Sequence, residues 1–137
     1  MPRVLVVDDD RAIRELLIFA FECEGYTVRA LGDGALVETI LAEATEPHIV
    51  LMDLMMPYVD GWEVCRRLRQ HALWRHRVVI LTACPLSAET LPEPACLALS
   101  KPFDLNELLR LVAKQFADLD AHPIAPLSND TPPLLAS

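Results

Sequence analysis

Ile49-Val50-Leu51-Met52-Asp53, followed by Leu54-Met55-Met56-Pro57-Tyr58-Val59-Asp60-Gly61, sets the reading of the whole chain. Four apolar residues run without interruption into a carboxylate. A continuous run of this length suits a strand covered on both faces, as in parallel sheets. Asp53 then stands at the carboxyl end of that strand, where open parallel sheets bind their ligands.

The pattern recurs on either side. Val4 to Val7, Val78 to Leu81 and Cys96 to Leu99 read as strands, and Thr27 to Leu31, interrupted by Arg29, reads as an edge strand. Between them lie helical patterns. Ile13, Leu16, Leu17, Ala20 and Phe21 share one face of a first helix, with Asp10 as its N-cap and Gly25 placed to end it. Leu36, Val37, Ile40, Leu41 and Ala44 mark a second helix capped by Asp33, and Pro47 bars its continuation. A third starts near Gly61 and carries Val64, Cys65 and Leu68. The last opens on Asp104 and Glu107, an Asp version of the capping box, and its stripe is Leu105, Leu108, Leu109, Val112 and Phe116. The alternation predicts right-handed βαβ units in an α/β architecture, a doubly wound five-stranded parallel sheet with helices on both faces. Between the fourth and fifth strands, Pro85, Pro92 and Pro94 leave room for at most a stub, so the fold is expected to carry a shortened fourth helix.

A length of 137 residues fits one domain, and 53% apolar residues exclude global disorder. Residues 1–118 are expected to form that domain. Residues 119–137, with Pro123, Pro126, Pro132 and Pro133, read as a flexible Pro-rich tail with no output domain. A net charge of -8 argues against direct nucleic-acid binding. No apolar run reaches the roughly 20 residues of a membrane span, and the N-terminus lacks a signal peptide, so a cytoplasmic location is expected. Cys23, Cys65, Cys84 and Cys96 are scattered without a CxxC pair, which suits reduced thiols better than disulfides or zinc. Arg66, Arg67, Arg69, Arg75 and Arg77 read as a solvated helix face rather than a docking patch.

What the strands deliver to their common edge defines the chemistry. The first ends in Asp8-Asp9-Asp10, the third in Asp53, the fourth in Thr82, and the fifth runs into Ser100-Lys101-Pro102. Clustered carboxylates repel one another unless a cation lies among them. A few hard oxygen ligands suit Mg2+. A carboxylate also serves as a nucleophile toward phosphorus, giving an aspartyl phosphate. A lysine and a hydroxyl then neutralise and hydrogen-bond the phosphoryl oxygens.

Taken in order, Val4 to Asp10, Asp53 to Gly61, Leu81-Thr82-Ala83 and Lys101-Pro102-Phe103 resemble the receiver domain of two-component response regulators, of the chemotaxis-regulator kind. The likeness covers roughly residues 3–118. It implies the flavodoxin-like strand order 2-1-3-4-5 and a cis Lys101-Pro102 bond. It also implies that Asp53 is the phosphoacceptor and that Thr82 and Lys101 contact the phosphoryl group. Asp8, Asp9, Asp53 and the backbone carbonyl of Met55 would hold Mg2+. The implied partners are a histidine kinase or phosphotransfer protein upstream and an unnamed protein target downstream, with no turnover of substrate beyond self-phosphorylation and autodephosphorylation.

The chain departs from that family at Ala98, where receivers usually carry an aromatic switch residue. With that ring absent and the fourth helix cut down, the domain is expected to be a monomer or a weak dimer paired through another face, such as the first helix. Two alternatives remain. A non-phosphorylated interaction module would not need the intact Asp8, Asp9, Asp53, Thr82 and Lys101. A phosphatase with an Asp nucleophile would want a second Asp two residues on, where Met55 stands.

Overall fold

The computed structural model describes residues 3–70, 76–82 and 95–121. Five strands, β1 (Arg3–Val7), β2 (Thr27–Leu31), β3 (His48–Met52), β4 (Arg77–Thr82) and β5 (Ala95–Ser100), form one sheet in the order β2-β1-β3-β4-β5. Every pairing is parallel, and β4 and β5 slip register between Val78 and Val79. Four helices accompany them among the described residues: α1 (Arg11–Cys23), α2 (Val37–Glu43), α3 (Gly61–Gln70) and α4 (Leu105–Ala121). The shortened helix expected over Cys84 to Pro94 lies outside the described residues, as do residues 122–137 of the expected tail; the tail does not begin at residue 119 as expected, because α4 runs on to Ala121 and buries Leu119 in the core. No helix described is long and apolar enough to cross a membrane.

Alternate residues of each inner strand feed two cores. Leu5, Val7, Val50, Met52, Val78 and Ile80 pack with Val37, Leu41, Val64, Cys65 and Leu68 of α2 and α3. Val4, Val6, Ile49, Leu51, Val79 and Leu81 pack with Leu17, Phe21, Leu108 and Val112 of α1 and α4. Each fully buried aliphatic or aromatic side chain contributes about 1.5–3 kcal/mol. Two-sided burial is why the central strands show no alternation with polar residues. Cys65 belongs to this core, and burial pushes its thiol up to about 12.

Local signals explain most helix ends. The Asp10 carboxylate accepts from the amides of Ala12 and Ile13 and opens α1. Gly25, at φ +93, closes it: the Gly25 amide donates to the Glu22 carbonyl and the Tyr26 amide to that of Phe21. The rings of Tyr26 and Phe21 then meet edge to face at 5.4 Å, completing a glycine cap with its apolar contact. Asp104 accepts the Glu107 amide at 3.1 Å and opens α4. Asp60 does the same for α3 through the Glu63 amide at 2.9 Å.

Two further expectations are corrected. Asp33 does not cap α2: its carboxylate accepts the Ala35 amide in a turn, while the Gly34 amide is tied to the Val59 carbonyl. The chain is therefore held by its neighbour loop until Leu36, the actual N-cap, which offers no side-chain hydrogen bond. The helix ends at Glu43, well before Pro47. Leu36 and Leu16, both assigned to apolar helix faces, are exposed.

The loop between β3 and α3 holds one strained residue. Tyr58 adopts φ 64, and the residue is 94% exposed. A left-handed backbone costs a residue with a Cβ about 1–2 kcal/mol, and this ring recovers nothing by burial. Tyr58→Gly is therefore expected to stabilise the domain by about 1 kcal/mol, after the added freedom of the unfolded chain is counted. A urea-denaturation midpoint that falls instead of rising would show the ring to be held by contacts worth more than the strain.

Candidate functional site

The sheet's hydrogen bonding continues past the strand ends and places the polar side chains. The Asp8 amide donates to the Leu31 carbonyl and the Asp53 amide to the Val7 carbonyl, each at 3.1 Å. The Lys101 amide donates to the Thr82 carbonyl at 3.0 Å, and the Lys101-Pro102 peptide bond is cis. Asp8, Asp53, Thr82 and Lys101 thus share one edge, on backbone fixed by β1, β3, β4 and the end of β5. Asp8, Asp53 and Thr82 are buried, and Asp9 faces solvent.

The Lys101 ammonium bridges the two buried acids. Its Nζ donates to Asp8 Oδ2 at 2.8 Å and to Asp53 Oδ2 at 3.0 Å. Burial alone would lower the lysine's pKa, but the hydrogen bonds and charges of Asp8 and Asp53 outweigh it and leave it raised. The remaining carboxylate oxygens meet backbone donors: Asp8 Oδ1 accepts from the Asp10 amide at 2.8 Å, and Asp53 Oδ1 from the Met55 amide at 3.0 Å. Both carboxyl groups are therefore held in one orientation. Asp8, Asp9 and Asp53 each bring a carboxylate oxygen within 4.8 Å of the others. Three hard anionic oxygens about one point fit a small divalent cation such as Mg2+.

Every residue singled out from the sequence reaches this edge, although Met55 contributes here through its amide, with its side chain exposed. Sequence reasoning missed Arg14. Its guanidinium donates to the Asp8 carbonyl at 2.8 Å, and a Cβ on Gly32 would come within 3.3 Å of it. A glycine facing an arginine from another element was the available signal, and it is too common to single out. Ala98 sits opposite Ile80 and packs, half-buried, on the α2–α3 side, so a methyl stands where the family carries a ring.

Of the arginines read as one solvated helix face, Arg66, Arg67 and Arg69 lie on α3, whereas Arg77 is half-buried on β4 and does not belong to that face. Arg66 and Arg67 both pair with Glu63 on the same helix. Their hydrogen bonds hold the Glu63 carboxyl down at about 2. Arg77 donates to Gln115 Oε1 at 2.7 Å and ties β4 to α4. Arg75 lies outside the described residues.

Comparison with known proteins agrees with this geometry. The response regulator receiver domain family matches residues 4–113. The DNA-binding dual master transcriptional regulator RpaA of Synechocystis sp. is 36% identical over 129 residues, spanning 91% of this chain and 53% of its own. Response regulator MprA of Mycobacterium sp. is 42% identical over 110 residues, spanning 78% and 47%. The chain spans about half the length of these curated relatives. A Francisella response regulator receiver domain superposes with a TM-score of 0.77 at 29% identity, covering 85% of this chain and 98% of that one. Thermotoga maritima TrrA, solved in complex with Mg2+ and BeF, superposes at 0.70 with 30% identity, covering 83% and 98%. With its strand order, acidic edge and bridging lysine, the chain belongs to the receiver-domain family of two-component response regulators.

Proposed function

We propose that this chain is a phosphorylation-dependent signalling switch that accepts a phosphoryl group on Asp53 from a histidine kinase or phosphotransfer protein. The observation that carries this reading is the Asp53 carboxylate, hydrogen-bonded to Lys101 and set among Asp8 and Asp9. An Asp53 oxygen attacks phosphorus, the new O–P bond forms, and the P–N bond of the donor phosphohistidine breaks with its electron pair returning to the imidazole. Lys101 and the Thr82 hydroxyl counter the charge on the transferred oxygens. Asp8, Asp9, Asp53 and the Met55 carbonyl are the groups that would hold Mg2+. When bound, Mg2+ neutralises charge on the phosphoryl group.

In this reading the receiver runs through the end of α4 at Ala121, residues 122–137 are its tail, and the site turns over no substrate. The Asp-nucleophile phosphatase is disfavoured because Met55 stands where its second acid belongs. Intact-mass measurement after incubation with acetyl phosphate and Mg2+ tests the assignment. One phosphoryl group is expected on the wild type and none on Asp53→Asn, with labelling lost in excess chelator. A labelled Asp53→Asn variant, or steady hydrolysis of a generic phosphate ester, would overturn it.

A further inference from the structure

We propose that Arg14 is a positioning residue for the cation site: it holds the Asp8–Asp9 peptide so that the Asp9 carboxylate closes the oxygen cluster, a role that rests on the Mg2+ site proposed above. The three acids of the cluster are not held alike. Asp8 and Asp53 each have one carboxylate oxygen on the Lys101 ammonium and the other on a backbone amide. Asp9 is exposed, and its carboxylate has no hydrogen bond or ion pair among the described residues. One of its oxygens nevertheless lies within 4.8 Å of oxygens of the other two. The backbone that carries Asp9 must therefore place it.

That backbone leaves the sheet at this point. The ladder between β1 and β2 runs out with the Asp8 amide on the Leu31 carbonyl at 3.1 Å. The Asp8 carbonyl comes next along the chain, and no backbone amide among the described residues donates to it. Arg14, half-buried in the first turn of α1, supplies the donor: its Nη1 meets the Asp8 carbonyl oxygen at 2.8 Å. A carbonyl and the N–H that follows it share one peptide plane. Fixing the Asp8 oxygen thus fixes the plane from which Asp9 departs. On the other side of Asp9, the Asp10 amide returns to Asp8 Oδ1 at 2.8 Å, and the Asp10 carboxylate is anchored on the amides of Ala12 and Ile13. Gly32, just past β2, confines the guanidinium as well, since a Cβ there would come within 3.3 Å of the same Nη1. The sign of the effect separates this role from a bare charge. A guanidinium acting only as a charge repels a cation bound nearby, so removing it would tighten Mg2+ binding. Removing a positioning donor weakens it.

Titration of the full nitrogen-15-labelled chain with Mg2+, followed by NMR at the amides of Asp9 and Met55, tests this with no phosphodonor present, and the same spectra report that each variant is folded. Arg14→Met keeps an unbranched stem and removes the donor. It is expected to weaken Mg2+ binding about tenfold or more, as loss of a group that orients a metal ligand does. Arg14→Lys, which restores one donor, should recover part of that loss. Asp9→Asn should also weaken binding, and Arg14→Met should add little to it, because Arg14 acts through that carboxylate. In labelling with acetyl phosphate, Arg14→Met should need about tenfold more Mg2+ yet reach the wild-type rate at saturation. Unchanged or tighter Mg2+ binding by Arg14→Met overturns the proposal while leaving the Mg2+ site standing. So does an Arg14→Lys variant no better than Arg14→Met, or an Arg14→Met effect that adds in full to Asp9→Asn. A wild type whose amides do not respond to Mg2+ overturns the Mg2+ site and this role with it.

Discussion

Lys101→Met is expected to cost the Mg2+-free protein about 3 kcal/mol of stability, the low end of what breaking a buried ion pair costs. The ammonium lies 2.8 Å from Asp8 Oδ2 and 3.0 Å from Asp53 Oδ2, with only 17% of its side chain exposed. Methionine keeps the volume and removes the charge, leaving two buried carboxylates facing each other. The low end applies because the exposed Asp9 side of the cluster is open to water. Asp53→Asn has the opposite expectation. It removes one of three neighbouring negative charges and leaves Lys101 paired with Asp8, so it should be neutral or stabilising. Combining the two changes should recover part of the Lys101→Met loss, a coupling that a double-mutant cycle in urea with chelator present measures. Adding Mg2+ should narrow the gap between Lys101→Met and wild type, since a cation among Asp8, Asp9 and Asp53 relieves the same repulsion. A Lys101→Met variant within about 1 kcal/mol of wild type in chelator, below even the low end for a buried pair, would mean that water, not Lys101, keeps these acids apart.

The features legible in the sequence are those whose cause is local. Val4 to Val7, Ile49 to Met52 and Val78 to Leu81 announced buried strands because nothing polar interrupts them, and Arg29 marked β2 as an edge for the converse reason. The Asp10, Gly25 and Asp104 caps were readable because the groups they satisfy are within four residues. The acidic edge was readable because a parallel sheet sends all its strand ends to one side. What escaped depends on neighbours distant in sequence. Asp33 has the chemistry of a cap, but the Gly34–Val59 hydrogen bond decides where α2 begins. Leu16 has the spacing of a core residue, yet α1 rolls so that Leu17 and Phe21 face the sheet. His76 escaped for the same reason. It is buried, with Nδ1 accepting the His48 amide at 2.9 Å, and so Nε2 carries the proton toward the Leu41 carbonyl at 3.1 Å. That neutral ring joins α2, β3 and β4 at the end of the sheet away from Asp53, and no pattern in the chain foretells it.

Gly61→Ala is expected to destabilise the domain by about 2 kcal/mol and to slow phosphorylation of Asp53, although alanine is the better helix former by about 1 kcal/mol. Gly61 opens α3 directly after the loop that follows Asp53. A Cβ there would lie 2.7 Å from both the Asp53 carbonyl oxygen and the Leu54 Cα, and 2.9 Å from Leu54 Cδ2. Two of those three atoms are backbone, so no side-chain rotation relieves the contact. Either α3 retreats or the turn carrying the Met55 amide to Asp53 Oδ1 shifts, and both disturb the carboxylate's orientation. Gly25→Ala is the control. Gly25 has φ +93 but nothing within 4 Å of a Cβ, so its cost of about 1 kcal/mol is torsional and remote from the site. Thermal melts together with acetyl phosphate labelling rates separate the two causes. Gly25→Ala should lose stability at an unchanged labelling rate, whereas Gly61→Ala should lose both. If Gly61→Ala labels as fast as wild type, the turn after Asp53 yields without moving the carboxylate, and the close approach of α3 serves packing alone.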